Sequence, residues 1–214
     1  MYVGRIVAVG LSQQGASAAM YRVSSRSFPN RHAVILNETA AIVPKPGHEG
    51  DIQKNPYIAY NCLRLTGEYA VATNGTQTDP VCEKLSAGLP PRDALASVLL
   101  TLDYEKDAYN TPRIAAVINR RGDSAYLGIA RHDALLVRKM DLQPGRLFYI
   151  CTYEHNFPDS SFADNDFAVS DPLSACDYLL GQGVFAEFER PVTAACAVAG
   201  TDGFSLAARE AVSG

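Results

Sequence analysis

The segment YRVSSRSFPNR, residues 21–31, concentrates groups that bind anions. If its first half is extended, Arg22, Ser24 and Arg26 share one face, because side chains alternate along a strand. Two guanidinium groups flanking a hydroxyl suit a phosphate or carboxylate, since arginine offers forked donors. The alternative is a solvated edge strand whose arginines pair with surface acids. The candidate anion-binding residues here are Arg22, Ser25, Arg26, Asn30 and Arg31.

A second segment, NPYIAYNCLRL at residues 55–65, joins hydrogen-bonding groups to an apolar strand. Tyr57 and Asn61 are suited to orient a planar amide or base. Cys62 is a candidate nucleophile, but a lone cysteine without a histidine partner more often packs as a small hydrophobe. For Tyr57 the alternative is core packing with a satisfied hydroxyl.

The stretch TNGTQTD, residues 73–79, predicts a turn that leads into a helix. Backbone N–H groups around Asn74 and Gly75 could bind an anion or an oxyanion at the helix N-terminus. An ordinary type I′ turn followed by a helix N-cap explains the same residues.

Carboxylates crowd the end of a predicted helix at LDYEKDAYN, residues 102–110. Acids at that position oppose the helix dipole, and a tolerated cost of this kind suggests a functional reason. Tyr104 and Glu105 could supply the acid and the base of one reaction site. Arg113, which opens the next strand, could add a polar contact. The alternative is a solvated helix end.

Tyr153 ends a strand in CTYEHN, residues 151–156, and is a further candidate for the same site. The four histidines are scattered, and neither HxH nor HExxH occurs, so no metal site is predicted. The chain has neither GxxxxGK[ST] nor GxGxxG, so neither type of phosphate loop is predicted.

The composition is that of an ordinary globular protein, with 47% hydrophobic and 20% charged residues among 214. This length favours one domain, residues 1–214. A formal charge of −4 argues against a general nucleic-acid binder but leaves room for a local arginine cluster. We expect the five cysteines to be reduced thiols, because their spacings match neither a zinc site nor a disulfide frame.

The amino-terminal residues MYVGRIVAVG are typical of a strand and not of a signal peptide. No apolar run approaches the ~20 residues of a membrane span. We therefore expect a cytoplasmic protein that binds no membrane.

The elements that must position these residues are mostly short strands. Strands are predicted at 2–10, 16–24, 32–44 (one strand or a bent pair), 57–65, 68–73, 113–120, 124–131, 134–140, 146–154, 183–189, 192–200 and 204–210. Helices are predicted at 78–89, 90–107 and 172–183.

Consecutive hairpins with few helices indicate an α+β fold with mostly antiparallel sheets. The runs IAAVI and AACAVA are apolar on both faces, which favours two stacked sheets with helices outside, a four-layer αββα sandwich.

Several segments together resemble the archaeal-type IMP cyclohydrolase family. They are MYVGRIVAVG, YRVSSRSFPNR, GHEGDIQKNPYIAYNC, NGTQTD, DYEKDAYNTPRIAAVIN, YICTYE and PVTAA, which run from residue 1 to about residue 195. The resemblance implies the last step of de novo purine synthesis. In that step, 5-formamidoimidazole-4-carboxamide ribonucleotide (FAICAR) closes to IMP with loss of water and needs neither metal nor cofactor.

The resemblance also implies a fold like that of the N-terminal-nucleophile hydrolases, in agreement with the four layers. Removal of Met1 would expose Tyr2, which cannot act as such a nucleophile, so we expect the fold without amidohydrolase chemistry. A non-catalytic purine nucleotide-binding protein, or an amidohydrolase of the same fold using Cys62, remain the alternatives.

On this interpretation the partner is the nucleotide substrate, and a homo-oligomer is left open. Tyr104 and Glu105 are assigned to proton transfer, with Tyr57 as a third catalytic candidate. The substrate-binding candidates are Arg22, Ser25, Arg26, Asn30, Arg31, Asn61, Asn74, Gly75, Arg113 and Tyr153.

Overall fold

The computed structural model describes residues 1–212 and shows an α+β fold with two mostly antiparallel sheets, as predicted. The strands are β1 (Ile6–Leu11), β2 (Ser17–Ser24), β3 (Arg31–Leu36), β4 (Thr39–Pro44), β5 (Tyr60–Thr66), β6 (Tyr69–Thr73), β7 (Arg113–Asn119), β8 (Ala125–Ala130), β9 (Leu135–Lys139), β10 (Arg146–Cys151), β11 (Ala163–Asp164), β12 (Pro191–Ala199) and β13 (Phe204–Glu210). The α-helices are α1 (Asp51–Lys54), α2 (Thr78–Ser86), α3 (Pro91–Leu102) and α4 (Pro172–Gly181).

The two sheets differ in how the chain runs through them. The six-stranded sheet has the order β11-β10-β1-β2-β12-β13, so that strands far apart in sequence become neighbours. The seven-stranded sheet runs from β3 to β9 in sequence order, as successive hairpins dictate. The first sheet therefore brings the start of β1 next to the end of β10, where Ile6 pairs with Cys151.

The main core lies between the sheets, where Val7 and Tyr21 of the first sheet share a buried cluster with Ile114 of the second. α4 packs on the opposite face of the first sheet, and α2 and α3 pack on the opposite face of the second. Each buried Leu, Ile or Val contributes about 1.5–3 kcal/mol. Because both faces are covered, all eight residues of β2 are buried.

Local sequence explains the helix starts. Asp171 caps α4 by accepting from the N–H groups of Leu173 and Ser174, and Pro172 occupies the first turn, where its missing N–H costs nothing. α3 likewise begins with a proline, Pro91. α3 ends earlier than the predicted residue 107, because Asp103 adopts φ of +56° and turns the chain out of the helix.

Other predicted elements need correction. The segment 183–189 is a 3-10 helix, Gly183–Glu187, and not a strand, since its carbonyls turn toward a buried arginine. The segment 32–44 forms the bent pair, β3 and β4, with Asn37 at φ of +54° in the turn. The segment 2–10 becomes extended only from Ile6. α1 and β11 are too short for a sequence period to reveal.

Among residues 1–212, no helix is long and apolar enough to cross a membrane.

Candidate active site

Glu105 is the most deeply buried carboxylate of the loop that follows α3, with 1% of its surface exposed. Its N–H donates to the carbonyl of Thr111. Asp107 stabilises the same loop by accepting from the N–H and the hydroxyl of Thr111. The loop therefore carries a carboxylate inward, although a helix end of this composition is usually solvated.

The partner of Glu105 is Arg5, a residue that the sequence reasoning did not select. Arg5 Nη2 donates to Glu105 Oε2 at 2.8 Å. Thr152 positions the backbone at this point, because its Oγ1 accepts from the Arg5 N–H at 3.1 Å. Gly4 allows the close approach, since it has φ of +74° and a Cβ there would lie 2.2 Å from Thr152 Oγ1.

Arg113 enters the same cluster from the start of β7. Its Nη1 donates to Gln77 Oε1 at 2.9 Å. Gln77 is itself held by Asn74, whose Oδ1 accepts from Gln77 Nε2 at 2.8 Å. A Cβ at Gly75 would lie 2.7 Å from Arg113 Nη1 and 3.6 Å from Glu105 Oε1. Glu105 and Arg113 thus face each other across the glycine.

Three buried polar atoms of this cluster have no hydrogen-bond partner within the protein. They are Glu105 Oε1, Arg5 Nε and Arg113 Nε. Among the described residues only one other buried side-chain atom is in this state, Arg146 Nε. An unsatisfied buried polar group costs about 1–3 kcal/mol, and more when it is charged. A cluster that leaves one acceptor and two donors unsatisfied is complementary to a ligand with an N–H and a carbonyl oxygen.

Burial raises the pKa of Glu105, while the neighbouring Arg5 and Arg113 oppose that shift and Asp107 adds to it. The carboxyl is therefore poised to titrate above its ordinary range of about 4.3. Such a shift moves a carboxylate toward the neutral range in which proton transfer to and from a substrate is efficient.

Aromatic side chains form the wall of the site. The ring of Tyr57 lies 5.9 Å from Arg113 Cζ. Tyr153 stacks on Tyr2 with 5.8 Å between ring centroids, and its hydroxyl is 3.4 Å from Thr111 Oγ1. The guanidinium of Arg26 lies 4.2 Å from the Tyr2 centroid, at the exposed end of this stack. A cation and two rings therefore lead from the surface toward Glu105.

An open groove adjoins this wall. Its volume is about 490 Å³, and Tyr57 is one of its lining residues. The same lining includes polar groups from Ser27, Lys54, Asp107 and Tyr109. The groove gives a route by which a polar ligand reaches Tyr57.

A pair of tyrosines lies under the cluster. The Tyr21 and Tyr60 hydroxyls are 2.5 Å apart, and the side chains are 0% and 8% exposed. Burial raises the pKa of both phenols, and the charge of Arg5 opposes the shift in each. Both phenol groups are therefore un-ionised, and both lie close enough to Arg5 to feel its charge.

The structure does not bring Arg22 to this site. Arg22 lies on the face of β2 that packs against α4, where it is fully buried. Its guanidinium donates to the carbonyls of Leu179, Phe185, Phe188 and Glu189, and its Nε donates to Ser24 Oγ. Burial lowers the pKa of Arg22 to about 10. Its donors hold the end of α4 and the chain that follows it, so the predicted ligand clamp of Arg22 and Ser24 has a structural role instead.

Three other residues of the anion-binding segment also have structural contacts. Arg31 is buried and donates to the carbonyls of Phe28 and Ile58. Ser25 Oγ accepts from the N–H of Phe28 and shapes the turn. The carbonyl of Asn30 accepts from Lys45, which joins this turn to the end of β4. Of the three arginines in this segment, only Arg26 lies near the candidate site, where it stacks on Tyr2.

The remaining candidates divide between the site and its surroundings. Gly75 lies in the site, and Asn74 supports it through contacts with Gln77, Pro112 and Ile114. Asn61 lies beside α2, where it donates to Asp79. Tyr104 does not join Glu105, because its ring packs against Lys106 Nζ and the edge of His132.

Sequence reasoning missed Arg5, Gln77, Tyr21 and Tyr60. Arg5 lies in an apolar strand-like run, where a single arginine was a signal that a charge would be buried or at an edge. Gln77 lies in the TNGTQTD segment, which was considered, but a glutamine side chain does not by its type indicate a functional role. The two tyrosines are indistinguishable in sequence from core aromatics.

Comparisons with known proteins agree on one family. The model of a family described as IMP cyclohydrolase-like protein matches residues 2–203. A protein named IMP cyclohydrolase from Methanosphaera stadtmanae is 46% identical over 197 residues, which cover 92% of this chain and 94% of that protein. Proteins of the same name from Methanocaldococcus jannaschii and Natronomonas pharaonis are 42% and 45% identical, and the alignments cover 98% and 96% of this chain and 99% and 97% of those proteins.

Proposed function

The chain belongs to the IMP cyclohydrolase-like family, and we propose that it closes the purine ring of FAICAR to form IMP with loss of water. The resemblance found in the sequence is thereby confirmed. The protein is an enzyme of purine biosynthesis whose substrate is a small nucleotide. The site around Glu105 is the place where we locate the reaction.

One observation supports this location above all others. Glu105 Oε1, Arg5 Nε and Arg113 Nε are buried together without partners. FAICAR has a carboxamide N–H that can donate to the free carboxylate oxygen and a formyl oxygen that can accept from a guanidinium. Unsatisfied buried polar groups are rare in folded proteins, and three of them meeting in one cluster support a role in binding a ligand.

The chemistry follows from these contacts. The carboxamide nitrogen attacks the formyl carbon of the same molecule and loses a proton to Glu105, while the formyl oxygen becomes an oxyanion beside the guanidinium of Arg113. The oxyanion takes up a proton to give a carbinolamine. Protonated Glu105 then gives its proton to the departing hydroxyl, which leaves as water. The nitrogen of the former formamide group releases its proton to water as the C=N bond forms, and this proton balances the one that the oxyanion took up from water.

Much of the rate can come from holding the two reacting groups together, since a well-oriented intramolecular attack reaches effective molarities of about 10⁵–10⁸ M. Tyr57 lies where it can pack against the heterocycle. Arg26, at the exposed end of the Tyr2–Tyr153 stack, is our candidate for the phosphate contact. Arg5 holds Glu105 in place and keeps part of its negative charge compensated.

We also propose the finer fold assignment that the family suggests. The chain is a four-layer αββα sandwich like that of the N-terminal-nucleophile hydrolases, formed as one domain. Support comes from the two sheets that share a core while α4 and the α2–α3 pair cover their other faces. We expect the enzyme to work in the cytoplasm, where purine synthesis takes place.

The direct test is conversion of FAICAR to IMP, followed by absorbance and by mass spectrometry of the product. We expect Glu105→Gln to lower kcat by about 10²–10⁴ with the site still assembled. Glu83→Gln, which alters an exposed carboxylate of α2, is the matched control and should leave kcat unchanged. Near-normal turnover of the Glu105 variant would remove Glu105 from the proton-transfer role.

The two alternatives make different predictions. A non-catalytic nucleotide-binding protein would bind IMP without forming it from FAICAR. An amidohydrolase using Cys62 would be inactivated by thiol alkylation without loss of nucleotide binding. Cys62 is fully buried, its thiol donates to the Ala40 carbonyl, and burial raises its pKa, all of which disfavour a nucleophilic thiolate.

A further inference from the structure

We propose that Gln77 is a positioning residue that holds Arg113 through a neutral contact, so that the positive charge of Arg113 stays available to the oxyanion of the cyclising formyl group. The proposal rests on the proposed function. It assigns a role to a buried amide that makes no contact with Glu105 or Arg5 and acts through Arg113.

The orientation of the Gln77 amide is determined by its contacts. Its Oε1 accepts from Arg113 Nη1 at 2.9 Å. Its Nε2 donates to Asn74 Oδ1 at 2.8 Å and to the Ile114 carbonyl at 3.2 Å. A flipped amide would place an oxygen against two acceptors and an NH₂ group against a guanidinium. Gln77 is fully buried, so its oxygen stays directed at Arg113.

Arg113 has no ion-pair partner of its own. Arg5 and Glu105 form an ion pair at 2.8 Å, whereas Arg113 lies within ion-pair distance of no carboxylate among the described residues. Arg113 is 7% exposed, and a buried arginine is normally compensated by a carboxylate. Arg113 is therefore the guanidinium of the site that has no carboxylate in direct contact, while Asp103 and Asp107 act on the cluster from a longer distance.

A guanidinium without a direct counter-ion has a use in ring closure. The formyl oxygen gains negative charge as the carboxamide nitrogen attacks, and a fixed cation in a poorly solvated site stabilises that charge more strongly than water does. A carboxylate at position 77 would keep the contact with Arg113 and cancel the charge. A glutamine keeps the geometry and leaves the charge, which is the combination that the reaction needs.

The test compares Gln77→Glu with Gln77→Met. The first keeps an oxygen near Arg113 and adds a negative charge, while the second removes the contact and adds none. We expect Gln77→Glu to lower kcat at pH 8 by about 10²–10³, the loss typical of a removed oxyanion contact. Gln77→Met should lose about tenfold, because Arg113 is less well held but still charged. A purely structural role predicts the opposite ranking, since the methionine loses every polar contact.

A pH series adds a readout that a structural role would not move. Protonation of the introduced carboxyl restores a neutral side chain, so the kcat of Gln77→Glu divided by that of the wild type should rise as the pH falls. The ionisable groups that face Arg113 or its neighbours are Glu105, Arg5, Asp103, Asp107 and Tyr57. They are present in both proteins, so the ratio reports the introduced carboxyl and its interaction with these groups. The ratio for Gln77→Met should stay flat.

The outcomes decide the proposal. A Gln77→Glu variant that is more active than Gln77→Met, or a ratio that does not change with pH, would overturn it. Circular dichroism and the Kd for IMP establish that each variant is folded and binds nucleotide. If Gln77→Glu does not fold, Arg113→Gln tests the same charge, and we expect a kcat loss of about 10²–10³ with KM changed less than tenfold.

A kcat for Arg113→Gln above one tenth of the wild-type value would equally overturn the role of the charge. The wild-type assay separates this proposal from the function itself. If the wild-type protein forms no IMP from FAICAR, the proposed function fails. If it does, and the position-77 variants behave alike, only the inference about Gln77 fails.

Discussion

Replacing Gly75 by alanine should disable the site without disturbing the fold. The added Cβ would lie 2.7 Å from both Arg113 Nη1 and Gln77 Oε1, whereas ordinary contact begins at 3.4 Å. To reach ordinary contact, Arg113 Nη1 and Gln77 Oε1 must each move away from the added methyl group by about 0.7 Å. The two groups are buried and are joined by a hydrogen bond of 2.9 Å, so the movement displaces the guanidinium from its position opposite Glu105.

A misplacement of about 1 Å at a reacting group can cost about 10²-fold in rate, so we expect kcat to fall by roughly tenfold to a hundredfold. Gly75 does not adopt a positive φ, so the alanine adds no backbone strain and the melting temperature should change by only a few degrees. Steady-state conversion of FAICAR to IMP and thermal unfolding measure the two effects. Gly181→Ala is the matched control, because a Cβ there meets nothing within 4 Å. A Gly75→Ala enzyme with more than half of the wild-type kcat would refute the steric reasoning and the placement of Arg113 in the site.

Three further predictions concern pH, stability and binding. Burial raises the pKa of Glu105, and a general base must be ionised to act. We therefore expect kcat/KM to fall, as the pH is lowered, with an apparent pKa above the ordinary ~4.3 of a glutamate. An apparent pKa at or below ~4.3 would contradict the assignment of Glu105 as the base. Arg22→Met should destabilise the protein by about 3 kcal/mol or more in urea unfolding, since it leaves at least two buried carbonyls without a donor, whereas Arg92→Ala at the surface should change little. Arg26→Ala should raise KM about tenfold or more with kcat nearly unchanged if its guanidinium meets the phosphate, and an unaltered KM would move the phosphate contact elsewhere.

Much of the fold was accessible from local patterns. Short apolar runs and turn signals located most of the strands, and the helices predicted at 78–89, 90–107 and 172–183 correspond to α2, α3 and α4. Errors arose where tertiary contacts override local preference. The segment 183–189 has the composition of a strand, yet its carbonyls accept from Arg22 on a strand more than 150 residues away in sequence.

The candidate site was accessible only in part. The segments around Gly75, Glu105 and Arg113 were singled out because turns and misplaced charges are visible in sequence. Their partners were not, since Arg5 and Glu105 are separated by 100 residues and meet through the pairing of β1 with β10 and the path of the loop after α3. No periodicity along the chain carries that information.

The amino-acid sequence by itself determined the family, the antiparallel α+β architecture and the stretches that carry reactive groups. Only the tertiary structure decided which charges lie together in the candidate site. Alternation along β2 places Arg22 and Tyr21 on opposite faces, but it does not say which face α4 will cover. Burial of one face and convergence of distant loops are properties of packing. Packing therefore gave Arg22 a structural role inside the protein. It also brought Arg5, Gln77 and Arg113 close to Glu105.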